Sequence, residues 1–231
     1  MFDIFIQPNI GVAIIVGLAS TIAIIIQFVP KVHFLSYPIR LFITVIHELC
    51  HGIAAMTTGG EFTHFVVRLD TSGTAWRYGG WDFVVTPAGY LGTTMFSALL
   101  ILSTGIDGAA QMVLSSLGVF VIILVLIFGW KSLTTLLIGL GYGLGAVFIA
   151  WYANENWALF SISLLAVFGC LDALSDLRWM ALAARLGIPR SNDATKMAIR
   201  FGCSTVFWTW AWTIIALLMV GWAMWFAWFR G

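Results

Sequence analysis

Apolar runs long enough to cross a bilayer recur along the chain at residues 10–29, 40–58, 83–104, 110–130, 132–152, 157–177 and 203–228. This pattern predicts an all-α polytopic membrane protein with about seven transmembrane helices. The joints between runs are short and carry turn chemistry at Pro30, Gly59-Gly60, residues 105–108 and Asn154-Glu155-Asn156. Only two polar stretches have any length. In the first, residues 61–81, the positions Phe62, His64, Val66 and Arg68 alternate with Thr63, Phe65, Val67 and Leu69, and the chain then turns at Asp70-Thr71-Ser72-Gly73. A period of two ending in such a turn predicts one short β-hairpin, placed on the cytoplasmic side by the threading below. The second, residues 178–202, carries Arg185, Gly187, Pro189, Arg190 and Lys196 and reads as a surface connector with helical pieces.

Composition strengthens the membrane reading. Hydrophobic residues make up 61% of the chain and charged residues 9%, against about 25% charged in soluble domains. With 231 residues the chain holds several spans and little else, so residues 1–231 are expected to form one membrane-embedded domain in contact with the lipid bilayer. A net charge of +1 offers nothing to a polyanion, which sets nucleic acid aside. Cys50, Cys170 and Cys203 fall in or beside apolar runs, so no disulfide framework is expected. The first run lacks a basic approach and a small-residue cleavage site and reads as a retained span. Threading seven spans puts Arg68, Arg77, Lys131, Arg178, Arg185, Arg190, Lys196 and Arg200 on one side, and Lys31, Arg40 and Arg230 on the other. The richer side is expected to be cytoplasmic, with the N-terminus on it.

The second run contains His47, Glu48 and His51 where a membrane helix ordinarily shows hydrocarbon. An ionisable residue deep in a bilayer costs roughly 2.5 to 3.5 kcal/mol on insertion scales, so three of them within about a turn argue for function. Residues four apart on a helix lie one above the other. His47 and His51 can therefore offer two imidazoles to one metal ion, with Glu48 beside it as a base.

A catalytic zinc site ordinarily takes three protein ligands and leaves a position for water. Asp172, in the sixth run, is the candidate for the third. Counted from the ends of their runs at Gly59 and Arg178, His51 and Asp172 sit at the same depth, about 10 Å from the boundary. Asp176, one turn on, is the runner-up. Cys50 shares the face of His47 and can approach Cys170, although a small buried residue that lets helices pack is the simpler reading of both.

A zinc-binding His-Glu-x-x-His on a membrane helix, a glycine-led hairpin after it and a late-helix Leu-Asp resemble the site-2 protease family of intramembrane metalloproteases. The likeness is to its small bacterial branch, through Gly59-Gly60 and the Ala88-Gly89-Tyr90-Leu91-Gly92 that follows, and it covers about residues 38–193. Cys50 stands where that family usually has glycine, and Ala173 follows the aspartate where the larger family has glycine. The resemblance implies a Zn2+ cofactor held by His47, His51 and Asp172, with Glu48 as catalytic base. It also implies a bacterial inner-membrane location and a transmembrane protein substrate, cut in or near its membrane segment close to the cytoplasmic face. Because a helical substrate must unwind before attack, the hairpin is expected to hold it extended by strand addition, through Phe65, Val66 and Val67. A reading from another class is a non-catalytic, protease-like subunit acting as a scaffold in a membrane complex. The glycines at 139, 141, 143 and 145 allow close helix packing within the chain or a homo-oligomer contact.

Overall fold

The computed structural model describes residues 10–188 and 192–229. Pro189, Arg190 and Arg230, used above, lie outside the described residues. Among the described residues the chain forms α1 (Ile10–Phe28), a 3-10 segment (Pro30–Leu35) and α2 (Ser36–Thr57), then β1 (Glu61–Val67) and β2 (Gly73–Tyr78). Six helices and a short one follow: α3 (Asp82–Val85), α4 (Ala88–Thr104), α5 (Ala109–Phe128), α6 (Leu133–Tyr152), α7 (Glu155–Arg185), α8 (Asp193–Phe201) and α9 (Thr205–Trp228). Six segments are long and apolar enough to cross a membrane, those of α1, α2, α5, α6, α7 and α9, and α4 is a shorter apolar helix. The architecture is all-α and polytopic, with a two-stranded antiparallel hairpin.

Two boundaries differ from the hydropathy pattern, and both matter for the site. The third apolar run does not form one helix from residue 83. Pro87 has no amide hydrogen to continue the α3 ladder, so the chain breaks after Val85 and restarts with Pro87 as the cap of α4. The sixth run, by contrast, does not stop near Arg178. It continues as α7 to Arg185, over 31 residues.

The hairpin folds back along α2 instead of projecting from it. At its base the Gly60 amide donates to the Ala55 carbonyl over 2.8 Å, and at its turn Tyr37 Oη donates to the Leu69 carbonyl over 2.6 Å and Thr44 Oγ1 to the Thr71 carbonyl over 3.0 Å. It therefore spans most of the helix's length. β1 supplies the buried face: Phe65 and Val67 are fully buried against Val45 and Leu49 of α2 and Val121 and Val125 of α5. The Val67 amide donates to Thr135 Oγ1 of α6 over 2.8 Å, so backbone on that side is satisfied by a side chain. β2 is the outer edge of the sheet, and its Gly73, Thr74, Ala75 and Arg77 line a polar cavity. Backbone outside a helix is tolerated at membrane depth only where protein or a wet cavity covers it, and the hairpin has both.

Candidate metal centre

His47, Glu48 and His51 occupy the middle of α2, with Glu48 and His51 buried. The break at Pro87 positions the first of their partners. His51 Nδ1 lies 2.7 Å from the Val85 carbonyl, and because a carbonyl only accepts, Nδ1 carries the proton and Nε2 presents its lone pair. That nitrogen is 3.1 Å from His47 Nε2. The restart of α4 comes close enough that a Cβ on Gly89 would fall 2.2 Å from His47 Nε2 and 2.5 Å from His51 Nε2. Glycine is required there, since a methyl group would sit among the donor atoms. A second close approach comes from β2, where a Cβ on Gly73 would fall 2.3 Å from Glu48 Oε1.

The third group that could donate to an ion beside the two histidines is Asp193, the first residue of α8. Its Oδ2 is 3.3 Å from His51 Nε2 and 3.6 Å from His47 Nε2, and its Oδ1 accepts from Lys196 Nζ over 2.9 Å. Bonds of 2.0 to 2.2 Å in a tetrahedral shell put donors about 3.3 Å apart, so the spacing of His47, His51 and Asp193 suits a small divalent cation. Their ligand atoms all lie within 4.8 Å of one another. The chemistry of the set fits as well: an imidazole lone pair and a carboxylate oxygen converge with a second imidazole, an arrangement that a cation relieves.

Local sequence explains why α8 begins there. Asn192 Oδ1 accepts from the Thr195 amide over 2.9 Å, capping the helix, and Ala194 and Met197 are buried against Leu177, Met180 and Trp212 of α7 and α9. The cavity in front of the donors has a volume of about 460 Å³ and is lined by both walls, β2 on one side and the start of α8 on the other.

A family model described as Peptidase M50B-like matches residues 18–223. The chain belongs to that family. It is a site-2 protease family, so the six spanning helices are those of an integral membrane protein. No curated protein and no solved structure matches the chain.

Within this M50B-like chain the structure brings together three of the four expected metal and base residues, His47, Glu48 and His51. Asp172 lies elsewhere in the same cavity. It is buried, and its Oδ1 accepts from Arg40 Nε over 2.8 Å, with Arg40 Nη1 3.4 Å from His33 Nε2. Arg40 is about 10 Å of helix before His47. The depth estimate took α7 to end near Arg178, but the helix runs on: Asp172 lies thirteen residues from its end at Arg185, whereas His51 lies six from Thr57. The carboxylate that accompanies the histidines is Asp193 instead. Asp176 lines the cavity but is not in the donor group. The expected substrate strand also shifts. Phe65 and Val67 are in the core and Val66 is half-buried, and none of the three lines the cavity, whereas Gly73, Thr74, Ala75 and Arg77 of β2 do. Cys50 packs on Gly92 and Cys170 is buried, and neither joins the donor group. The residue not singled out from sequence, Asp193, carries one local signal, the Asn192-Asp193 start of a short amphipathic helix just before the last span.

Proposed function

We propose that this protein is a zinc-dependent intramembrane endopeptidase that cuts a transmembrane protein in or near its membrane segment. The observation that carries this reading is the convergence of His47, His51 and Asp193 beside Glu48 in a polar cavity lined by α2, α7, β2 and the start of α8. His47 and His51 through Nε2 and Asp193 through Oδ2 would hold the ion, which when bound polarises a water and lowers its pKa toward 7. Glu48, held against Gly73, accepts a proton from the attacking water and returns it to the leaving amine. The Val85 carbonyl keeps His51 in the tautomer that presents Nε2. The substrate is proposed to add as an extended strand along β2, whose residues face the cavity, in place of β1, whose Phe65 and Val67 are committed to the core. By the distribution of charges the site is proposed to open toward the cytoplasm, in a bacterial inner membrane with the N-terminus inside.

Metal content of the purified protein, together with a Glu48→Gln variant, tests this. Zinc near one equivalent in both proteins, with cleavage lowered roughly 10²- to 10⁴-fold in the variant, is expected, because the amide keeps the shape but cannot take the proton. Full cleavage by Glu48→Gln would remove the base. A wild-type protein that binds no zinc would leave a protease-like scaffold.

A further inference from the structure

Two kinds of contact hold α8, the helix that carries the third donor. Its apolar face is packed on α7 and α9 through Ala194 and Met197. Its last turn is tied across the cavity mouth: Arg200 Nη1 lies 2.5 Å from Asp82 Oδ2, and the other oxygen of Asp82 accepts from Arg77 Nη2 of β2. Arg77 is further fixed by donating to the Gly79 carbonyl over 2.6 Å. The next residue, Phe83, meets Phe201 edge-on with ring centroids 5.4 Å apart and Trp208 at 6.0 Å. A single carboxylate thus joins the two walls of the cavity. Among the described residues no other ion pair links α8 to the hairpin or to α3.

We propose that Asp82 is a positioning residue, a latch between Arg77 and Arg200 that sets the tilt of α8 and so aligns Asp193 with His47 and His51. The proposal rests on the metal-site reading above. Ala194 and Met197 fix where α8 docks, and the ties of its last turn set how it is tilted about that contact. Asp193 and Arg200 lie on either side of that contact in a helix of nine residues. A rigid element this short passes displacement of one end to the other, and a ligand has to be held to within about 0.5 Å. Asp82 itself is nearly buried, whereas Arg200 is 67% exposed. The latch is therefore open to weakening by salt on the α8 side and firm on the β2 side.

The test uses the full chain in detergent, with two readouts. Zinc affinity is measured by chelator competition, supported by the visible absorption of the cobalt-loaded protein, and the placement of α8 is measured in metal-free protein as the distance between spin labels at Ile199 and Trp76. Asp82→Asn is expected to weaken zinc binding roughly tenfold, as loss of a group supporting a ligand does, to alter the cobalt spectrum, and to broaden the label distance. Asp82→Glu should restore most of both, and Arg200→Ala, at an exposed position, should shift both in the same direction if Asp82→Asn does not yield folded protein. An unchanged label distance and unchanged zinc affinity in Asp82→Asn or Arg200→Ala would overturn the latch. If the wild-type chain binds neither zinc nor cobalt, the metal reading fails by itself, and the label distances still decide whether Asp82 places α8.

Discussion

Asp172 is a buried and Asp193 a nearly buried aspartate on the wall of one cavity, yet they have different partners and different expected roles. Asp172 sits in a spanning helix, where its charge is met by the Arg40 guanidinium at 2.8 Å. Asp193 sits at the start of a connector helix and meets two imidazoles and a lysine. An intramembrane carboxylate is read as functional because it is expensive. The first of the pair shows that an arginine one helix away offsets much of that cost. The second shows that a carboxylate can reach the histidines from a segment where a charge costs little and so attracts no notice.

The contrast predicts effects of graded size. Asp193→Ala is expected to be the most severe, lowering zinc affinity by upward of about a hundredfold, because two histidines remain. Asp172→Ala should change zinc affinity by less than about threefold, since it supports no donor directly. Chelator competition on both variants decides it, and the reverse ranking would make Asp172 the ligand after all. Gly89→Ala comes next, because its Cβ would displace the histidine nitrogens, and roughly ten- to a hundredfold weaker zinc binding is expected with the fold retained by circular dichroism.

The Arg40 and Asp172 pair should be visible in stability. Removing either partner alone leaves an uncompensated charge and is expected to destabilise by about 3 kcal/mol. Replacing both, as Arg40→Met with Asp172→Leu, should recover most of the loss, so thermal unfolding of the three variants in detergent isolates the coupling. Independent, additive losses would mean that the pair is incidental. The smallest effect belongs to Lys196→Ala, whose side chain is 62% exposed. A change of roughly twofold in zinc affinity is expected from an exposed pair of this kind. A larger change would show that Lys196 orients the carboxylate.

The sequence by itself determined the membrane class, the number of apolar helices, the hairpin, and the two histidines and glutamate of α2. Each of these follows from a local rule. A bilayer demands long apolar runs, a half-buried strand alternates, and residues four apart on a helix share a face. Which strand faces the cavity was already beyond local reading, because Phe65, Val67 and the β2 residues fit either side until α5 and α6 cover β1. The carboxylate that lies beside the histidines was further beyond it. Finding Asp193 requires knowing that α7 ignores the arginine at 178 and runs to Arg185, and that α8 then docks through Ala194 and Met197 so that its first residue meets α2. Those outcomes depend on packing among helices more than a hundred residues apart in the chain. Only the tertiary structure decided which carboxylate lies beside the histidines.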